Sequence, residues 1–302
     1  MPELPDIEAY LEALRRNVGQ AAIQTTELKS PFLVRTYEPP LRAVEGRPTT
    51  GFRRLGKRLV WELEGELFLV FHLMVAGRLQ WKKAGTRPRT RSDLLALHLE
   101  NGTVMVTEAG SRRRASLHLV AGREPLAAHD PGGLEVLESS LAEFSRALQR
   151  ENHTLKRALT DPRTFSGIGN AYSDEILHAS RLSPVLWTSR LTEPEIQRLY
   201  ESGRTVLGRW QERLCQEARQ RFPAKVTAFR EGMAVHGRFG QPCPVCGTAV
   251  QKIEYAARET NYCPRCQTAG KLLADRGLSR LLKGDWPKTI EELEERLTGR
   301  HA

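Results

Sequence analysis

The chain has no run of apolar residues long enough to cross a bilayer. Its most apolar stretch, Leu67 to Gly77, falls short of the roughly 20 residues that a helical span needs, and it contains His72. It also lacks a leader-like start: Met1-Pro2-Glu3-Leu4-Pro5-Asp6 has no basic region and no apolar core, so no targeting signal is read there. Cysteine is scarce, five in 302 residues, which suggests a reducing compartment. No internal repeat and no low-complexity tract is visible. These absences predict a soluble cytoplasmic protein. Its 302 residues are enough for two domains and a sizeable core.

Charge is what the chain has in excess. Forty-six Lys and Arg against 36 Asp and Glu give a formal charge of +10. That balance favours a polyanionic partner, with nucleic acid first among them, though a basic globular protein without such a partner stays open on charge alone.

Four of the five cysteines form two knuckles, Cys243-x2-Cys246 and Cys263-x2-Cys266, separated by sixteen residues. Each short loop offers two sulfurs to one ion, and a four-thiolate set suits a tetrahedral Zn²⁺. Such a site is closed, so its one zinc is structural, fixing a hairpin too short to bury a core of its own. Cys215 is left over as a free thiol in a helical stretch.

The pattern of the chain is α+β. Apolar positions Ile7, Tyr10, Leu11, Leu14 and Val18 recur at helical spacing, with Pro5 where a first-turn proline is tolerated. Strands are expected over Arg58–Leu63 and Glu66–Leu73, and over Leu94–Leu99 and Thr103–Val106 around Asn101-Gly102, a hairpin signal. Gly122 to Gly133 has linker composition. Beyond it, Leu134–Leu148, Asn152–Leu159, a stretch from Ala171 and Glu193–Glu217 read as helices. Thr289-Ile-Glu-Glu292 in the tail is a capping-box pattern. The expected division is 1–133, 134–235, a zinc module at 236–267 and a partly helical tail at 268–302.

Pro2 carries the first chemical possibility. Removal of Met1 exposes a secondary amine, and an α-amino group, with a pKa near 8, is partly unprotonated at neutral pH. Attack on an aldehyde or acetal carbon gives an iminium that acidifies the neighbouring C–H and invites β-elimination. Glu3 beside it can serve as general acid or base, and a helix start near Pro5 disfavours protonation of the amine. A disordered terminus is the ordinary alternative. Gly167-Ile168-Gly169-Asn170 places glycines and a capping Asn at a helix start, which suits either a phosphate or a plain tight turn. Lys57 in Arg54-Leu-Gly-Lys57-Arg58 is within reach of a phosphate or merely solvated. Arg258 stands between the knuckles, where a rigid arginine fits a nucleic-acid groove.

Taken in order, Pro2-Glu3-Leu4-Pro5-Asp6-Ile7-Glu8, Gly56-Lys57, His72-Leu73, Gly167-Ile168-Gly169-Asn170 and Arg258-x-Thr260-x2-Cys263-Pro-x-Cys266-Gln267 resemble the formamidopyrimidine-DNA glycosylase/endonuclease VIII family over nearly the whole chain. The resemblance implies an N-terminal β-sandwich with a leading helix, a helix–two-turn–helix module and a zinc-finger hairpin, with DNA held between the domains. It implies a bifunctional glycosylase and β,δ-elimination lyase, with Pro2 as nucleophile, Glu3 as acid/base and Lys57 beside them in the catalytic set. Lys57, His72, Asn170 and Arg258 match family positions that contact DNA phosphates, and Lys156 adds another. Damaged DNA, double- or single-stranded, is then the partner of a monomer that associates with the nucleoid.

Some positions depart from the family. Family members acting on 8-oxoguanine carry His-Leu-Gly-Met, whose Met fills the gap left by the flipped base; here Val75 takes that place. They also carry Asp-Pro-Arg-Arg-Phe-Gly, where this chain has Glu108-Ala-Gly-Ser-Arg112-Arg113, so Gly110 and Arg112 replace the wedge Arg and Phe. Arg112 then has an even choice between a solvated turn and a phosphate or gap contact. The stretch Arg219 to Val235, where a lesion-capping loop belongs, reads as shortened. A non-catalytic binder of damaged DNA, or more remotely a zinc-ribbon RNA-binding protein, remains the rival to a repair enzyme that does not act primarily on 8-oxoguanine.

Overall fold

A computed structural model of the chain describes residues 1–110, 112–223, 229–255, 258–274, 279–281 and 285–298, with Tyr255, Arg258, Leu297 and Thr298 described by their backbone. They fall into two compact units, Met1–Gly133 with Gly208–Thr227, and Leu134–Leu207 with Ala228–Ala302. Among the described residues no helix is long and apolar enough to cross a membrane.

The first unit opens with α1 (Leu4–Val18). Ile7, Tyr10, Leu11, Leu14 and Val18 recur every three or four residues and are all essentially buried, each worth roughly 1.5–3 kcal/mol when removed from water. The helix begins where the Asp6 carboxylate accepts the Glu3 N–H at 2.9 Å, and it ends at Gly19, whose φ of 58° few other residues adopt readily.

Eight antiparallel strands follow: β1 (Thr25–Leu28), β2 (Thr49–Leu55), β3 (Arg58–Leu63), β4 (Leu67–His72), β5 (Gly77–Lys82), β6 (Asp93–His98), β7 (Thr103–Glu108) and β8 (Ser116–Ala121). They form two four-stranded sheets, ordered β1-β6-β7-β5 and β2-β3-β4-β8. Trp61, Leu69, Phe71 and Leu117 from one sheet and Leu79, Leu97, Val104 and Val106 from the other meet α1 in one core, as expected of a sandwich with a leading helix. The four expected strands are β3, β4, β6 and β7, while β1, β2, β5 and β8 escape the sequence reading. In β1, for example, no residue is buried, so no clean alternation marks it.

Gly122 to Gly133 is more than a linker. It contains a short helix, α2 (Arg123–Ala127), whose Leu126 closes a second small core with Val60, Phe68, Val70 and Val120. The sequence reading also assigns all of 134–235 to the helical domain. In the structure Gly208–Thr227 groups with the first unit, where Phe222 packs on Tyr10 (ring centroids 6.0 Å apart) and Arg219 pairs with Glu12 at 2.8 Å.

The second unit contains α3 (Leu141–Gln149), α4 (Leu155–Thr160), α5 (Asn170–Ala179) and the first half of α6 (Glu193–Gln220). α3 starts at Leu141 rather than at Leu134 because Ser140 and Glu143 close a capping box there, and Leu134 instead bridges to Phe165. β9 (Gln251–Tyr255) and β10 (Arg258–Tyr262) pair antiparallel, followed by the short α7 (Pro264–Thr268). The tail carries α8 (Ile290–Thr298), where Thr289 Oγ1 accepts the Glu292 N–H and Glu292 accepts from Lys288 rather than from Thr289 itself.

Gly102 in the β6–β7 hairpin has no room for a side chain, since a Cβ there would lie 2.0 Å from the Trp81 ring. Gly102→Ala should therefore lower stability by about 1–3 kcal/mol in urea unfolding, and Trp81→Leu in the same chain should recover part of the loss. An unchanged midpoint for Gly102→Ala would show that Trp81 is not held against this turn.

Candidate active site and metal centre

In the first unit the candidate groups gather around the start of α1. Pro2 is buried, and Glu3, at 3% exposure, is the N-cap residue of the helix. The chain's amine, here on Met1, has its pKa pushed below the ordinary α-amino value. Burial is the main cause; Arg78 and Lys57 add to it, while Glu3 and Asp6 oppose it. A terminus packed in this way is not a disordered one.

Lys57 sits in a two-residue turn, Gly56-Lys57, between β2 and β3. Gly56 takes a φ of 58°, the left-handed conformation that tight hairpin turns need. Arg54 fixes the turn: it donates to the Gly56 carbonyl at 3.0 Å and to Glu8 of α1 at 2.9 Å. His72 ends β4, and its pKa is depressed to about 4 by burial, then by Arg58, Lys57 and His118. It is therefore neutral at pH 7, so it can meet a phosphate as a neutral N–H donor. His118 and His129 lie with ring centroids 4.8 Å apart, and Arg58 donates to the His129 carbonyl at 2.6 Å. Arg58 and Lys57 are thus the cations set beside His72.

Next to His72 the chain makes a tight turn in which Gly77 donates to the Leu73 carbonyl at 2.8 Å. A Cβ at Gly77 would lie 2.3 Å from that oxygen, so only glycine fits. Met74 takes a left-handed φ of 52°, and Val75 stands out at 63% exposure. Arg78 donates to the Val75 carbonyl at 3.0 Å. β4 pairs with β8 so that His72 faces Ser116, which brings the loop after β7 alongside. There Glu108, 2% exposed, accepts the Arg114 N–H at 2.9 Å and the Ala115 N–H at 3.1 Å. Gly110 has a φ of 98°, and Arg112 is exposed on this anchored loop. Residues 224–228, inside the stretch that reads as shortened, lie outside the described residues.

In the second unit, Gly169 rather than Asn170 is the N-cap residue of α5, and Asn170 is its first helical residue. Its side chain is turned to the zinc hairpin, donating to the Glu259 carbonyl at 2.8 Å, while its Oδ1 is buried without a hydrogen-bond partner among the described residues. Lys156 is held on α4 by the Asn170 carbonyl at 2.7 Å and by an ion pair with Asp174. Asp174, 0% exposed, also takes His236 Nδ1 at 2.7 Å and the Asn261 N–H at 3.2 Å. Glu175 accepts the N–H groups of Ala234, Val235 and His236 at 2.7–2.9 Å. The sequence reading passes over Asp174 and Glu175, although the place of Asp174 four residues after Asn170 puts those two on the same side of the helix. Arg258 opens β10 opposite Tyr255, at the turn of the hairpin, and is described through its backbone.

The four cysteines come together. All four sulfurs lie within 4.8 Å of one another, with Cys243–Cys266 at 3.9 Å and Cys246–Cys263 at 3.4 Å. A tetrahedral zinc with Zn–S bonds of about 2.3 Å separates its sulfurs by about 3.8 Å, so the quartet fits one structural Zn²⁺. Burial raises the pKa of Cys263, and raises that of Cys266 to about 11; burial opposes ionisation at Cys246 too, but hydrogen bonds from Thr248 bring it down to about 6. Crowded thiols of this kind ionise together only with a cation among them. Cys215 lies apart as a half-buried thiol pushed up to about 11 by burial and by Glu8 and Glu12.

The family profiles follow the same order along the chain. The formamidopyrimidine-DNA glycosylase N-terminal domain matches residues 1–116, the formamidopyrimidine-DNA glycosylase H2TH domain 131–213, and the zinc finger found in FPG and IleRS 240–269. Formamidopyrimidine-DNA glycosylase of Thermus thermophilus is 33% identical over 284 residues, covering 89% of this chain and all of that one. The crystal structure of the Thermus thermophilus protein matches at a TM-score of 0.73 and 32% identity, over 88% of this chain and 98% of that one. Lactococcus lactis FPG, solved with an oxidised-pyrimidine-containing DNA, matches at 0.77 and 25% identity, over 88% of this chain and all of that one. The chain belongs to the formamidopyrimidine-DNA glycosylase family, a family of DNA glycosylases.

Removing the metal should free the knuckles, because the small core around them is built from Val235, Val250 and the cysteines themselves. Chelation under reducing conditions is expected to release one zinc per chain, more readily as pH falls because protons compete for the thiolates. Hydrogen exchange should then rise across Gln251–Tyr262 while β3 and β4 stay protected. Equal protection with and without metal would show that the hairpin folds without it.

Proposed function

We propose that this chain is a DNA repair glycosylase with abasic-site lyase activity. After loss of Met1, the Pro2 nitrogen bonds to C1′ of a flipped nucleotide as the glycosidic bond breaks, and Glu3 carries the proton to or from the reacting groups. With the amine proton passed to O4′, the sugar ring opens at the C1′–O4′ bond and the adduct becomes an iminium, which acidifies the C2′–H. Loss of that proton breaks the C3′–O bond and expels the 3′-phosphate, and a second elimination breaks the C5′–O bond and expels the 5′-phosphate. Lys57 belongs beside them, adding positive charge near the amine and meeting a phosphate. The observation that carries this reading is the packing of the terminus: Pro2 and Glu3 are both buried at the head of α1.

DNA is the partner, gripped through phosphates by His72, Asn170, Arg258 and Arg112. Lys156 adds its charge at the start of α5, where its ammonium is held by the Asn170 carbonyl. The protein acts as a monomer on double- or single-stranded damaged DNA, associated with the nucleoid in the cytoplasm. A non-catalytic binder would need none of the packing around the amine.

Borohydride should trap a covalent adduct between Pro2 and abasic-site DNA. Pro2→Gly, or retention of Met1, should abolish or sharply slow trapping. Glu3→Gln should slow base excision by about 100-fold or more while sparing cleavage at a preformed abasic site. An adduct that maps to a lysine would remove Pro2 from this role, and no adduct with any lesion would favour the binder.

The lesion preference follows from what fills the gap. Extruding a base costs a few kcal/mol, which a duplex enzyme offsets by filling the space left behind. Val75 offers less intercalating surface than a Met, Gly110 offers no side chain, and Arg112 is charged. Poorly stacked lesions, such as oxidised pyrimidines and ring-opened purines, should therefore be preferred to 8-oxoguanine in stable duplex. Single-turnover rates on duplexes carrying 8-oxoguanine, thymine glycol and an abasic site measure this. Fastest excision of 8-oxoguanine opposite cytosine would falsify the assignment of Val75, Gly110 and Arg112.

A further inference from the structure

α5 presents one line of side chains to the zinc module. Asn170, Asp174 and His178, at i, i+4 and i+8, occupy the same stripe of the helix and span about 12 Å at 1.5 Å per residue. The first two reach Glu259 and Asn261 of the hairpin, and the third reaches the metal quartet: His178 Nε2 lies 3.3 Å from Cys243 Sγ. Both partners of this contact are buried, His178 at 5% exposure and Cys243 at 2%.

Chemistry fixes the direction of the contact. A zinc-bound thiolate has only lone pairs to offer, so the imidazole nitrogen facing it must carry the hydrogen. Among the described residues the backbone N–H of Val245 also approaches Cys243 Sγ, at 3.5 Å, a longer contact made within the knuckle itself. His178 is thus a donor reaching the sulfur from another element of the fold. Burial sharpens its effect, since no water competes for the thiolate at this side.

We propose that His178 is a positioning residue of the metal centre: its Nε2–H donates to the Cys243 thiolate, draws charge from that sulfur, and fastens the first knuckle to α5. Outer-shell partners of this kind typically hold metal affinity up by 10–100-fold. The hydrogen bond also joins the zinc site to the helix whose first residue is Asn170. The inference rests on the quartet and not on the glycosylase reading, so its failure would leave that reading standing.

Cobalt in place of zinc in the full chain reports on the sulfur directly. Losing a hydrogen bond raises the energy of the thiolate lone pairs, so His178→Phe should move the sulfur-to-cobalt charge-transfer band to lower energy. The same variant should weaken zinc retention against a chelator by about 10–100-fold. His178→Gln, which keeps an N–H donor near the same place, should restore much of both. An unshifted band and unchanged retention in a folded His178→Phe would overturn the proposal, as would a Gln variant no better than Phe, which would reduce the role to packing. If the variants fail to fold, the wild-type chain still decides. Loaded with a spin-active cadmium isotope, its His178 Nε2–H resonance should show a coupling that a spin-silent isotope abolishes. No such coupling, or a cobalt spectrum of three sulfurs and one nitrogen, sinks the idea.

Discussion

One buried carboxylate organises the second unit. Asp174 has no exposure to water, and an unpaired charge there would be unfavourable by several kcal/mol. Its oxygens are met by Lys156 from α4, by His236 from the segment before the first knuckle, and by Asn261 from β10. Three stretches far apart in sequence are thereby brought to one point on α5. Next to it, Glu175 takes three successive backbone N–H groups from 234–236, which have no helix or strand of their own to satisfy them. The orientation of Asn170 toward Glu259, and the approach of His178 to Cys243, follow from α5 being held this way.

The first unit depends on burial of a different kind. α1 packs its apolar stripe into the core that the two sheets share, so its first turn is fixed by the same packing that fixes the core. Glu3 and Asp6 are carried to 3% exposure at the helix start, and the chain's amine is drawn in with them. The placing of His72 beside Lys57 and Arg58 is set by strand register. Pairing of β4 with β3 and β8 puts His72 by the Lys57 turn on one side and by the loop that Glu108 grips on the other. The reactive and phosphate-facing groups proposed for this unit are thus positioned by helix and sheet packing, not by loops alone.

Certain residues carried their meaning in the sequence. The cysteine spacing announces a metal site because ligand geometry is local to each knuckle, and the α1 periodicity announces its buried face because 3.6 residues per turn is a local rule. Asn101-Gly102 marks its hairpin for the same reason, since turn conformation is set by two residues. Strands β1, β2, β5 and β8 were not legible: several of their residues are half-exposed, and their pairing depends on partners distant in the chain. The helix read from Leu134 begins only at Leu141, since an apolar residue that serves a helix equally serves a bridge to Phe165.

By itself, then, the sequence determined the class of architecture, the metal ligands, and the set of residues from which a site is drawn. Periodicity, capping and ligand spacing act over a few residues and can be read there. Only the tertiary structure decided that Asn170 turns its amide to the hairpin rather than capping its own helix, and that Lys156 is held by Asp174. It alone depressed His72 to about 4 and brought His178 to a cysteine sulfur. Each of these depends on burial and on charges contributed by other segments, and the free energy of a buried polar group is fixed by neighbours that no local stretch of sequence names.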